Sequence, residues 1–232
     1  MWKKIKLSSM CFMALEFSSD HYFSLEGFAH QELFEGSFVW EALQHLDSYL
    51  EKQLLGKIAV KVPSTVHLIH PELISIGPET VIEAGAYIQG PAIIGAKNTI
   101  RHGAYIRGGV ITGEGCVIGH ATEVKHSILL NRAQAAHFNY VGDSIIGNDV
   151  NLGAGVKLAN YRLDHKEVTI LFQVKKITTR LRKFGAIIGD GAQIGCNAVT
   201  SPGTFIGPKA LCYPCLNIKG IIPSKAIYRE KK

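Results

Sequence analysis

Aliphatic residues recur every six positions through the middle of the chain, at Ile76, Ile82, Ile88, Ile94, Ile100 and Ile106. Thr112 breaks the row, and Ile118, Val124 and Leu130 resume it in the same phase. Glycine follows the aliphatic at Gly77, Gly95 and Gly119, and the fourth position after it is mostly small: Thr80, Ala86, Ala92, Asn98, Ala104, Cys116 and Thr122. An α-helix repeats at 3.6 residues and a half-buried strand at 2, so neither produces this pattern. A period of six predicts a short strand with one inward aliphatic, ended by a turn that needs a small residue. Three such rungs close an 18-residue coil, and coils stack as parallel strands about 4.8 Å apart. Gly77, Gly95 and Gly113 keep the 18-residue spacing, as do Gly189 and Gly207. The chain therefore reads as a hexapeptide β-helix.

The register slips near residue 140, after which Ile146, Leu152 and Leu158 carry a new phase. It returns at Ile188, Ile194, Ile206 and Ile218, with Thr200 and Cys212 in the same row. The stretch between, about residues 161–185, is expected to leave the coil and come back. Ahead of the repeats, Val39, Leu43, Leu46, Leu50 and Leu54 stand at helical spacing within Phe38 to Lys57. That spacing predicts one amphipathic helix, packed on the first coil and capping its open core. The expected division is an N-terminal segment over 1–60, the β-helix over 61–222 and a basic tail over 223–232.

At 232 residues the chain is long enough for one large domain. With 47% apolar and 19% charged residues, it is not a disordered chain. No apolar run reaches the length of a membrane span. Lys3, Lys4 and Lys6 followed by Leu7–Leu15 imitate a signal peptide, but Glu16 stops the run without a small-residue cleavage site. Five scattered cysteines argue against a secreted disulfide framework, and Cys212 and Cys215 form a CxxC with no second pair at zinc spacing. A cytoplasmic protein with packed or free thiols is expected. Against 19 acidic residues stand 25 Lys and Arg, which suits anionic partners. Without an aromatic-studded basic groove, these narrow to phosphate-bearing small molecules and leave out nucleic acid.

The 18-residue coil also says which polar residues share an edge. Arg107 and Lys125 are one coil apart and so stack, and His102 and His120 form a second stacked pair. Arg107, Lys125 and His137 all read as occupying the place after the inward aliphatic, which glycine usually takes. Arg107 and Lys125 are either a solvated basic patch or a clamp for one phosphate. His137 is a surface histidine or a working one. The His102–His120 pair lacks a third ligand at a recognisable spacing, so no metal is expected. The basic run from Lys175 to Lys183 is a solvated loop or a contact for phosphates.

Read together, Gly119-His-Ala-Thr-Glu-Val-Lys125, Ala136-His137-Phe-Asn-Tyr140-Val-Gly-Asp143, Asn151-Leu-Gly-Ala-Gly155 and Ala159-Asn160-Tyr161 form a recognisable series. Over roughly residues 62–222 the chain resembles the acetyltransferase half of the bifunctional glucosamine-1-phosphate acetyltransferase/N-acetylglucosamine-1-phosphate uridyltransferase family. The resemblance implies a left-handed parallel β-helix, a homotrimer and acetyl-CoA as co-substrate. It implies His137 as the catalytic base, and Arg107 and Lys125 on the phosphate. Tyr140, Asn151, Asn160, Tyr161 and Lys166 fall on its substrate-binding positions, and Cys196 and Pro214 stand near its cofactor-lining ones. About 60 residues before the coils are too few for the family's nucleotidyltransferase domain, so uridyltransferase activity is not expected. Arg162-Leu-Asp-His165 replaces the bacterial Asp-Gly after Asn160-Tyr161, and the longer loop to Phe184 resembles an archaeal-type branch.

The implied reaction is acetyl transfer to the 2-amine of a glucosamine phosphate. Imidazole titrates near neutrality and suits His137 to take the amine proton. Backbone N–H groups near Gly153 or Gly155 are expected to receive the developing oxyanion. The alternatives are acyl transfer to a nucleotide-linked amino sugar, or a non-catalytic trimer that scaffolds a separate nucleotidyltransferase.

Overall fold

The computed structural model describes residues 16–230; the Lys3–Leu15 stretch with Cys11, and the last two lysines, lie outside them. Three parallel sheets of eight strands each form the walls of a triangular prism. Sheet B begins with His67–Ile69, sheet A with Ile74–Ile76 and sheet C with Val81–Ile82, and every coil adds one strand to each. Through the early coils the partners are 18 residues apart, as in Ile82↔Ile100, Ile88↔Ile106 and Ile100↔Ile118. Each of these isoleucines is buried in one continuous core. A fully buried aliphatic of this kind contributes roughly 2–3 kcal/mol. This is the parallel β-helix that the repeat implied, with the left hand that the resemblance implied.

Small residues sit where the repeat placed them. Ala86, Ala92, Ala104, Cys116 and Thr122 are all buried as the second inward position of their rungs. Thr112, which interrupts the aliphatic row, is buried too, and its hydroxyl accepts a bond from Asn98 Nδ2 at 2.8 Å. Gly95 is required by close approach, since a Cβ there would lie 2.2 Å from the Gly113 carbonyl oxygen on the next coil.

The register slip lies earlier than residue 140. Arg107 is followed by two left-handed glycines, Gly108 and Gly109, before the chain enters Val110–Thr112. One coil on, a single left-handed residue, His126, makes the same turn, and Asp143 does so again on the coil after. Partners are then 17 apart up to the excursion, as in Val124↔Val141, Ile128↔Ile145 and Gln134↔Asn151, and 18 apart again beyond it, as in Ile188↔Ile206. Leu129, not Leu130, therefore faces the core, while Leu130 points outward.

Leu130 is apolar because the outer face of sheet A is covered. Ile111, Ile128, Ile145, Ile187 and Phe205 form a second core with Phe17, Tyr22, Phe28, Trp40, Leu43 and Leu46. The predicted helix is shorter than expected, Glu41–Leu50, and Leu54 beyond it is exposed. It lies on this flank, not over the end of the prism. There, Ile58, Val60, Val62, Val66 and Leu68 pack against the first coil instead. The excursion is an ordered antiparallel hairpin, Thr169–Phe172 with Lys175–Thr178, and joins the same outer core through Val168 and Ile170. Phe17 meets Phe172 edge-on at 5.3 Å, and Gln44 donates to the Thr179 carbonyl at 2.7 Å. Among the described residues no helix is long and apolar enough to cross a membrane.

Candidate active site

One column of turn residues runs along the edge between sheets C and B. His137 pairs in register with His120. Gly155 N–H donates to the His137 carbonyl, Asn197 N–H to that of Ala154, and Cys215 N–H to that of Cys196. The column thus reads His102, His120, His137, Ala154, Cys196 and Pro214. Each coil adds about 4.8 Å, so Cys196 stands about 10 Å from His137. His137 is two places after the inward Ala135, not one, so it belongs with the histidine pair and not in the position of Arg107 and Lys125. The 17-residue coil is the reason.

The three histidines are held differently. His102 Nδ1 lies 2.6 Å from the Ala84 carbonyl oxygen, and His120 Nδ1 lies 2.9 Å from that of His102. Since a carbonyl only accepts, both rings carry their proton on Nδ1. They stack at 5.5 Å. The His137 ring is exposed and makes no hydrogen bond among the described residues, while its backbone is fixed. His137 N–H donates to Asn139 Oδ1 at 3.1 Å, and buried Asn139 in turn donates to the Gly153 carbonyl at 2.7 Å. Phe138, left-handed at φ 52°, makes the sharp turn that presents the imidazole outward. Among the described residues no three His, Cys, Asp or Glu side chains converge as a metal site.

Next to this column, sheet C carries a groove of about 330 Å³ lined by Asn151, Gly153, Gln193, Cys196, Leu211, Tyr213 and Pro214. Asn151 lies between Gln134 and Gln193 on that sheet, so it groups with Cys196 and Pro214 and not with the residues expected on the sugar phosphate. The N–H groups of Gly153 and Gly155 already donate to Ile194 and His137 carbonyls, so neither is available for an oxyanion. The Ala154 N–H between them makes no backbone bond among the described residues. Cys212 is buried inside the prism, where burial pushes its thiol up to about 11, and Cys215 is exposed. The CxxC residues are free thiols.

The other edge of sheet B, against sheet A, holds the basic pair. Arg107 and Lys125 do stack on neighbouring coils, with Arg107 N–H bonded to the Val124 carbonyl. Their side chains end on separate carboxylates. Arg107 Nη1 reaches Glu123 at 2.6 Å at the surface, whereas Lys125 Nζ reaches Asp143 at 2.9 Å behind it. Asn160 Nδ2 also bonds Asp143, and donates to the Tyr140 hydroxyl at 3.2 Å. Burial alone would raise the Asp143 pKa, but contacts from His126, Lys125 and Asn160 outweigh it and hold the carboxyl below its usual range. Tyr161 bridges to Lys183 and, with His126, Asp143, Leu181 and Arg182, lines a cleft of about 630 Å³. Lys166 is exposed on the excursion, its backbone N–H directed at Asp164, and follows His165, whose ring lies 3.0 Å from the Tyr161 hydroxyl.

Asp143, His126 and Glu123 were not singled out from the sequence. Asp143 ends the Ala136–Asp143 motif, and that motif was the only signal for it. Glu123 lies within the Gly119–Lys125 motif in the same way, while His126 carried none, because its partners are Asp143, 17 residues on, and Asp47 on the distant helix.

The GMPPB C-terminal domain family matches residues 88–179. A bifunctional sugar-1-phosphate nucleotidylyltransferase/acetyltransferase from Sulfurisphaera tokodaii is 45% identical over 92 residues, 40% of this chain and 23% of that protein. A bifunctional protein GlmU from Methanococcus maripaludis is 36% identical over 198 residues, 82% of this chain and 46% of that protein. The chain is similar to GlmU-like bifunctional proteins, whose names include an acetyltransferase, over most of its hexapeptide repeats. It spans about a quarter of the first relatives it matches, 23% and 26% of their lengths. An uncharacterized acetyltransferase YaiX from Escherichia coli is 35% identical over 149 residues, 64% of this chain and 65% of that protein. Among solved structures, a UDP-N-acetylglucosamine acyltransferase from Francisella novicida superposes with TM-score 0.53 at 17% identity, covering 73% of this chain and 67% of that one. It supports the β-helix fold alone.

Proposed function

We propose that the chain transfers an acetyl group from acetyl-CoA to the 2-amine of glucosamine 1-phosphate. One observation carries this reading: the outer face of sheet B lies between an exposed histidine at one edge and a lysine–asparagine–tyrosine cluster at the other. Across that face Tyr105, Glu123, Tyr140 and Lys157 stand in register. A sugar phosphate laid on it would point its amine toward His137 and its phosphate toward Arg107, Lys125 and Tyr140. Asn160 and Tyr161 border the same end, and Lys166 lies beside His165, which contacts Tyr161.

The groove with Asn151, Cys196 and Pro214 suits the acyl donor. Its lining is largely apolar with a few amide groups, which fits an extended pantetheine arm, and it leads up the column to His137. Acetyl-CoA supplies the acyl group as a thioester. The amine nitrogen attacks the thioester carbonyl, His137 takes the amine proton, and the C–S bond breaks as the proton passes on to the departing sulfur. The Ala154 N–H, adjacent to His137 in the column, would receive the oxyanion. The phosphate contacts turn remote binding into orientation of the amine.

Among the described residues no segment forms a second core on sheets B and C, and Val81, Tyr105 and Leu211 are exposed on them. We read these faces as the contacts of a homotrimer. Arg182 and Lys183 on the cleft rim favour a second reading, a nucleotide-linked amino sugar bearing an additional phosphate. Release of free CoA, measured over glucosamine, glucosamine 1-phosphate and nucleotide-linked amino sugars, tests the proposal. Fastest release with glucosamine 1-phosphate supports it. Preference for a nucleotide-linked sugar transfers support to the second reading. No release with any amino sugar leaves a non-catalytic scaffold for a separate nucleotidyltransferase.

A further inference from the structure

A chain of charged groups joins the N-terminal segment to the cluster read above as the phosphate end of the site. Asp47, on the helix Glu41–Leu50, lies 3.6 Å from His126 Nε2. His126 Nδ1 lies 3.3 Å from Asp143 Oδ1, a close contact without a well-formed hydrogen bond. The other carboxylate oxygen, Oδ2, takes Lys125 and Asn160. His126 therefore grips one side of a carboxylate whose opposite side sets the two acceptor residues. The carboxylate is nearly buried, with 6% of its side chain exposed, so few water molecules can replace a lost partner.

The backbone makes this grip rigid. His126 is the single left-handed residue of a turn that the coil below makes with Gly108 and Gly109. Losing one residue there draws the histidine in beneath helix Glu41–Leu50, and His126 N–H is bonded to the Gly108 carbonyl at 3.0 Å. Besides Asp47 and Asp143, the groups around it are Tyr161, Arg182 and Lys183, which line the same cleft.

We propose that His126 is a positioning residue. It orients Asp143, and through it Lys125 and Asn160, and Asp47 ties that orientation to the N-terminal segment. The inference rests on the reading of Lys125 and Asn160 as acceptor residues. It gives the covering segment a role beyond packing, because the segment fixes the far side of the same carboxylate.

The test uses the full chain and a variant that removes the ring without straining the turn. Glycine accepts a positive φ freely, and asparagine tolerates it while offering an amide nitrogen near the place of Nδ1. His126→Gly should raise the KM for glucosamine 1-phosphate about tenfold, with kcat within about twofold and the KM for acetyl-CoA unchanged. His126→Asn should recover most of that loss, and Asp47→Asn should raise the acceptor KM by no more than about threefold, since its side chain is exposed. An acceptor KM unchanged in His126→Gly overturns the proposal, as does equal loss in the glycine and asparagine variants. Hydrogen exchange at the Asp143 and Phe184 amides, bonded to Lys125 and Asn160 carbonyls, is read in parallel. It should quicken in His126→Gly and revert in His126→Asn. Were the wild-type chain to transfer no acyl group, the function reading would fail, and unchanged exchange would separately sink the link.

Discussion

Lys125 and Asp143 meet at 2.9 Å one coil apart, with only 16% and 6% of their side chains exposed. The backbone holds the two together as well, since Asp143 N–H donates to the Lys125 carbonyl at 3.1 Å. Replacing Asp143 by Asn would leave Lys125 charged and poorly solvated. The variant should lose on the order of 3 kcal/mol of stability, read from urea unfolding at neutral pH. The same pair gives a pH dependence. Asp143 is held below its usual pKa, so its contribution is complete above the unfolded value of about 3.9 and disappears as pH falls through the folded value. The gap between wild type and Asp143→Asn should therefore narrow in acid. A constant gap from neutral pH down to the acid transition would contradict the assignment.

Arg107 gives the opposite expectation. Its bond to Glu123 is at the surface, with 43% and 30% of the side chains exposed. Arg107→Ala should change stability by no more than about 0.5 kcal/mol. If the side chain leaves Glu123 for the acceptor phosphate, the variant should raise the KM for glucosamine 1-phosphate about tenfold and leave phosphate-free glucosamine unaffected. Equal loss on both acceptors would argue against a phosphate contact.

On the proposed reading, Cys196 and Pro214 line the donor groove, away from the acceptor face. A bulky side chain at position 196 fills the groove beside Asn151 but stays about two coils from His137. Cys196→Trp should raise the KM for acetyl-CoA about tenfold or more, with the acceptor KM unchanged. A rise in the acceptor KM alone would place the donor elsewhere.

The fold was legible where one rule repeats. From Ile76 to Val124 each inward aliphatic faces the next at a constant interval, so the row could be followed without knowing any contact. It failed at Leu129 and Leu130, two adjacent apolar residues, one facing the prism core and the other the outer core. Hexapeptide arithmetic chose the outward one and so put the slip too late. The cover on sheet A was illegible for another reason. Its aromatic residues, such as Phe17 against Phe205, meet partners far along the chain and follow no period.

The candidate site divides the same way. The stacking of Arg107 on Lys125 followed from the coil length, and the motifs pointed to His137, Tyr140 and Asn160. Their grouping did not follow: His137 pairs with His120 through the shortened coil, Asn151 joins Cys196 across the excursion, and Lys125 meets Asp143 at an 18-residue spacing that the motifs alone did not single out.

The central claim is that His137 takes the proton from an amine attacking a thioester, and single-turnover acetyl transfer tests it most directly. With acetyl-CoA and glucosamine 1-phosphate saturating, His137→Ala should slow the chemical step at least about a hundredfold while the unfolding midpoint stays that of the wild type. A chemical step of unchanged rate in a folded His137→Ala chain would contradict the account.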